Sequence, residues 1–185
     1  MIEFAILSLI INTVTDHFNQ PWDIITVSLF NLDTIMKTDF KVAEVKLKYR
    51  NKTPYEERQQ IRNSDSAYPL FLNSYPDGML DYREAFKVLY LDQASHGLGI
   101  STISEGGIAS TNVDMRIVFQ GALLTNAVAM ILCHNHPSGN LQPSGEDINL
   151  TDKIVQAGKI LNIKVLDHLI VSRKNYYSFA DEGKI

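Results

Sequence analysis

The sequence predicts an α/β domain in which a mixed β-sheet is sandwiched by helices. Short apolar runs that read as strands alternate with longer segments of helical periodicity. One run, Ala127–Cys133 (AVAMILC), is almost wholly apolar, the mark of a central strand covered on both faces. The chain has 185 residues, 45% of them hydrophobic and 21% charged, enough for one compact domain with a sizeable core and a short appendage.

The chain opens on MIEFAILSLIINTV, which is too short for a bilayer crossing of roughly 20 residues. It also lacks the positive n-region and cleavage site of a secretory signal. No Lys or Arg precedes Met36, whereas Glu3, Asp16, Asp23 and Asp33 leave the segment at −4. Composition changes abruptly at Met36. Residues 1–35 therefore read as an N-terminal extension ahead of a true or alternative start at Met36, with 36–185 as the domain. The competing reading of 1–35 is a short helix packed on that domain.

Phe40–Arg50 alternates apolar and polar residues, with Val42, Val45, Leu47 and Tyr49 recurring, and predicts a half-exposed strand. Asn51–Asn63 is polar and contains Pro54, a surface loop. Ser64 caps a helix through Asn73, ended by the Tyr75-Pro76-Asp77-Gly78 turn. Ala85–Leu91 (AFKVLYL) is a buried strand, and Gly99–Ile103 a second one. Asn112 or Asp114 caps a helix to about Thr125, with Ile117, Val118, Ala122 and Leu123 on its apolar face. After the central strand comes an amphipathic helix over about Gly145–Leu161. Ile163–Val171 and Tyr176–Phe179 close the chain as strands. There are no internal repeats or low-complexity tracts.

The net charge of −4 is unevenly spread. Residues 36–62 carry eight basic residues against Asp39, Glu44, Glu56 and Glu57, a local +4. Acids interrupt this stretch and few aromatics accompany it, so it reads as a solvated strand face and polar loop rather than a nucleic-acid groove. The one cysteine, Cys133, rules out an intramolecular disulfide and fits a reducing compartment, the cytoplasm.

The chemistry concentrates in LCHNHPSGNLQPSGEDI. His134 and His136 stand at the C-terminal end of the central strand, and residues two apart on an extended chain point to the same side. Pro137, Gly139 and Pro143 enforce a tight loop, Ser144 opens the next helix, and Asp147 sits in its first turn. Two imidazoles and one carboxylate leave a fourth tetrahedral position for water, the arrangement of a catalytic zinc, one per chain. A second explanation of Ser144 and Asp147 needs no metal: they have the spacing of a helix capping box.

The pattern His134-x-His136-Pro137-Ser138, then Ser144, then Asp147, resembles the JAMM (JAB/MPN) metalloprotease motif. The wider run HNHPSGN…PS…D, with LDHLIVS and YYSFADEG, looks like the RadC family of bacterial JAB-domain proteins. The resemblance covers about Met36–Ile185 and implies the JAB/MPN (cytidine deaminase-like) fold, zinc, and hydrolysis of peptide or isopeptide bonds. It also implies a glutamate entering the first core strand as general base, a place held by Glu84. In that mechanism zinc lowers the pKa of a bound water to about 7. Glu84 takes the water's proton and returns it to the leaving amine. By its place in the motif, Ser144 would hold the oxyanion beside the metal. Glu105, in ISEGG, is the rival base.

Other residues carry weaker signals. His168, beside Asp167 in a strand, is either a group supporting the metal site, a substrate contact or a hydrogen-bonded structural histidine. Cys133 faces away from His134 and reads as a buried small hydrophobe rather than a thiolate ligand. His17 and His96 have no motif around them, and turn chemistry alone accounts for Ser138.

The expected function is therefore a JAMM-type zinc metallopeptidase acting on a protein or peptide. The alternatives are a non-catalytic module that binds a protein partner, or a nucleic-acid-binding protein in line with the DNA-repair label of RadC proteins. Base deamination is disfavoured, because no P-C-x-x-C zinc motif is present. Substrate identity and oligomeric state are not encoded in any motif.

Overall fold

A computed structural model of the chain describes residues 45–106 and 113–185. The chain divides into two units, Met1–Lys46 and Leu47–Ile185, and every element below belongs to the second. The extension expected over 1–35, the start at Met36 and His17 lie outside the described residues.

Five strands form one mixed sheet in the order β2-β1-β3-β4-β5. They are β1 (Ala85–Leu91), β2 (Gly97–Glu105), β3 (Ala129–Asn135), β4 (Lys164–Val171) and β5 (Tyr176–Ser178). β1 pairs antiparallel with both β2 and β3. β3 and β4 run parallel, and β5 returns antiparallel to β4. Parallel neighbours need a crossover. Helix α3 (Gly145–Leu161) supplies it, after α1 (Ser64–Ser74) and α2 (Met115–Leu124).

Every residue of β1 and β3 is buried, as their continuous apolar runs require. Side chains of alternate parity go to opposite faces. Ala85, Leu89, Leu91, Ile131 and Cys133 pack with Ala67 and Phe71 of α1. Phe86, Val88, Tyr90, Met130 and Leu132 pack with Val118 and Ala122 of α2 and Ile154 of α3. Among the described residues, one helix thus covers one face and two cover the other.

Three expectations are corrected. Residues 45–50, the described part of the strand expected over Phe40–Arg50, form no strand. Val45 and Leu47 are both 82% exposed, and Tyr49 donates its hydroxyl to the Leu98 carbonyl at 2.6 Å. The segment touches edge strand β2 through side chains and makes no ladder with it. The cap of α1 is Asn63 rather than Ser64; its side chain accepts from Ser66 N, and Ser66 Oγ reciprocates on Asn63 N. In α2, which Asp114 caps, the buried stripe is Val118, Phe119 and Ala122, while Ile117 and Leu123 are 45% and 57% exposed. Val118 and Ala122 are buried as expected, and Phe119 completes the stripe in place of Ile117 and Leu123, because this helix is apolar on more of its circumference than the sheet can cover.

Candidate metal centre

The site is built where β3 runs out. The last residues of β3 alternate: Cys133 and Asn135 go to the α1 face, while His134 goes to the α2/α3 face. His134 stands between Phe86 of β1 and Ile170 of β4 in the sheet register and is 1% exposed. His136 follows one residue past the strand. The loop after it is held by its own short polar side chains. Asn140 N donates to Ser138 Oγ at 3.3 Å, and Gln142 N to Asn140 Oδ1 at 3.1 Å. Gly139 N donates to the His136 carbonyl at 2.9 Å, closing a turn over Pro137 and Ser138, and Gly139 then takes the left-handed conformation (φ +76°) that favours glycine.

Asp147 comes from the first turn of α3. Its Oδ2 accepts from Ser144 N at 2.7 Å and from Ser144 Oγ at 2.6 Å, while Asp147 N donates to Ser144 Oγ at 3.1 Å. That is the full capping box. Its other oxygen, Oδ1, lies 3.2 Å from His134 Nε2. Capping and metal binding are therefore not rivals: one oxygen serves each.

His134 Nε2 and His136 Nε2 are 3.0 Å apart, and His136 Nε2 is 3.8 Å from Asp147 Oδ2. Zinc–ligand distances of about 2.0–2.1 Å put neighbouring ligands of a tetrahedron roughly 3.3 Å apart, so these separations suit one ion at their centre. The chemistry of the donors agrees. His136 Nδ1 lies 2.5 Å from the Asn140 carbonyl, which can only accept. The neutral ring therefore carries its hydrogen on Nδ1 and turns a lone pair on Nε2 towards His134 and Asp147. Converging acceptors repel unless a cation sits among them. Among the described residues, His134, His136 and Asp147 are the group of such side chains that could hold a metal ion.

A cleft of about 1070 Å³ opens over these atoms. Glu84 lines it together with His134, His136, Ser144 and Asp147. Glu105, the rival base, does not line it; its residue pairs with Ala85 across the β1–β2 ladder. Ser144 stands beside the metal-binding atoms, with its hydroxyl hydrogen directed at Asp147 Oδ2. Cys133 is buried on the other face with Tyr75, where burial pushes its thiol up, away from thiolate chemistry. His96 lies apart, against Tyr55 and Asp92.

His168 is wholly buried, with its ring between Phe86 and Phe179. Its Nε2 lies 2.8 Å from His134 Nδ1, and its Nδ1 lies 2.6 Å from Thr151 Oγ1. Burial holds this imidazole well below its ordinary pKa, so it is neutral.

Asn135 was missed by motif reasoning, because it occupies the unspecified place between the two histidines. Fully buried, it accepts from Ala85 N at 2.8 Å and donates to the Leu80 and Arg83 carbonyls at 2.6 and 2.9 Å. It thereby clips the backbone on both sides of Glu84 to the end of β3. The available signal was parity: an amide ending an apolar strand, facing away from its histidine neighbours, must find buried partners.

A mixed sheet with two histidines at the end of a central strand and a carboxylate in the next helix defines a JAB-type domain. The chain belongs to the RadC family: the model of the RadC-like JAB domain matches residues 61–184. It is 51% identical over 100 residues to a UPF0758 protein of Flavobacterium johnsoniae, covering 54% of this chain and 44% of that one. It is 35% identical over 173 residues to a UPF0758 protein of Methanosarcina mazei, covering 89% and 74% respectively. With the UPF0758 protein YfjY of Escherichia coli the identity is 46% over 101 residues, 55% of this chain and 63% of the relative. The chain thus spans less than half the length of the Flavobacterium relative.

Proposed function

We propose that this chain is a zinc-dependent hydrolase of JAMM type that cleaves peptide or isopeptide bonds. The observation that carries the reading is the convergence of His134 Nε2, His136 Nε2 and an Asp147 oxygen on the floor of a cleft that Glu84 also lines. When bound there, zinc would polarise a carbonyl and acidify a water. The chain's own residues supply the rest. Glu84 accepts a proton from the attacking water and delivers it to the leaving nitrogen. Asn135 keeps the Glu84 segment at the end of β3. Ser144 holds the Asp147 carboxylate through Oδ2 and leaves Oδ1 for the metal. The open cleft, flanked by Val113, Met115 and Leu150 as well as by polar loop residues, suits an extended polypeptide.

The test pairs metal analysis with an unbiased peptide-library cleavage assay. The purified protein should carry about one zinc per chain. Glu84→Gln should keep that zinc and lose about 10²–10⁴-fold in cleavage rate. Full hydrolysis by Glu84→Gln would remove Glu84 as the base, and a zinc-loaded protein that cleaves no peptide would overturn the peptidase reading.

A further inference from the structure

The two metal-facing histidines are secured in different ways. A backbone carbonyl fixes the hydrogen on His136. His134 instead meets another imidazole, His168, which can donate or accept. Which it does decides whether His134 can bind a metal through Nε2 at all.

The hydrogens can be counted from the far end. Thr151 Oγ1 lies 2.6 Å from the Asp147 carbonyl oxygen, and two oxygens that close need a hydrogen between them. The carbonyl has none, so the hydroxyl's single hydrogen points there. Thr151 Oγ1 can then only accept from His168 Nδ1, 2.6 Å away, and Nδ1 must bear a hydrogen. With Nδ1 carrying the ring hydrogen, His168 turns the lone pair of its other nitrogen to His134. Its Nε2 accepts, and His134 Nδ1, 2.8 Å away, donates. An imidazole that gives its one hydrogen to His168 presents Nε2 as a lone pair, here facing His136 and Asp147.

We infer that Thr151 and His168 are positioning residues that orient the hydrogens of His134 and so prepare its Nε2 to receive the metal. The inference rests on the metal reading above and goes beyond it. The chain of bonds starts at the backbone carbonyl of Asp147 and ends at His134, so it ties two ligands to each other behind the ion. Metal ligands generally give their second nitrogen to a carboxylate, carbonyl or water. Here a neutral imidazole takes that place, and it acts as an acceptor only because the threonine makes it one.

The experiment measures zinc affinity of the full chain by competition with a chromophoric chelator. Thr151→Val keeps the side-chain shape and removes the hydroxyl; Thr151→Ser restores it. Thr151→Val should weaken zinc binding about 10–100-fold, and Thr151→Ser should stay within about threefold of the native chain. Melting of the metal-free proteins separates this from a merely structural role, which would shift melting but not affinity. A second readout needs no variant. Long-range ¹H–¹⁵N spectra of the zinc-loaded native chain should show His168 with its hydrogen on Nδ1. Hydrogen on Nε2, or a folded Thr151→Val that binds zinc as tightly as the native chain, would overturn the relay and leave the metal reading intact. A native chain that takes up no zinc would overturn the metal reading and the relay with it.

Discussion

Asp147 shows how much one carboxylate can do when its two oxygens face different partners. Oδ2 closes the cap of α3 and Oδ1 turns to His134, so the local rule for starting a helix also aims the carboxylate at the histidines. This explains why the cluster of His134, His136 and Asp147 was legible in the sequence: donor type, a two-residue spacing on a strand and a helix start are all local patterns. Asn135, Thr151 and His168 were less so. Their roles depend on which buried atoms lie opposite them, and no spacing rule reports that. Asn135 makes the sharpest residue-level prediction. Asn135→Ala leaves the Leu80 and Arg83 carbonyls and the Ala85 N–H without their partner, at a cost of about 1–3 kcal/mol in stability. Because the amide faces away from the ligands, zinc content should hold while the cleavage rate drops as the Glu84 segment loosens. An unchanged rate in the folded, zinc-loaded variant would show that Glu84 is placed by other contacts.

At the scale of elements, β1 was legible to the residue and β3 to within two residues at each end, because continuous apolar runs bounded by polar turns have few alternatives. The segment at 45–50 was not, since alternation reports a face and not a partner: the segment meets edge strand β2 through the Tyr49 side chain and does not join its ladder. The stripe of α2 was legible at Val118 and Ala122 but not at Phe119, because Ile117, Val118 and Phe119 are consecutive and only the packing chooses among them. The junction of α3 and β4 is set by close backbone approach. Ile163 N returns to the Gly158 carbonyl at 2.9 Å while Asn162 adopts the left-handed conformation that ends the helix. A Cβ on Gly158 would stand 2.4 Å from the Ile163 carbonyl oxygen, which is backbone and cannot swing away. Gly158→Ala should therefore destabilise the fold by about 1–3 kcal/mol, read as a lower urea midpoint. An unchanged midpoint would mean that the α3–β4 turn is looser than its hydrogen bonds indicate.

On the scale of the whole molecule, the sheet serves mainly to bring separate segments to one end. β3 delivers both histidines, α3 the carboxylate, the turn ahead of β1 the glutamate, and β4 the histidine behind the site. The α/β class was legible because strand and helix patterns alternate along the chain. The order β2-β1-β3-β4-β5 was not, since strand pairing depends on contacts far apart in sequence. Among the described residues, no helix is long and apolar enough to cross a membrane. The account stands or falls on what occupies the end of β3. Zinc K-edge X-ray absorption of the purified chain tests this most directly. The predicted result is about one zinc per chain with only nitrogen and oxygen neighbours at about 2.0–2.1 Å, including the outer-shell pattern of two imidazoles. A sulfur neighbour at about 2.3 Å, or a protein that retains no zinc after exposure to it, would contradict the assignment of His134, His136 and Asp147.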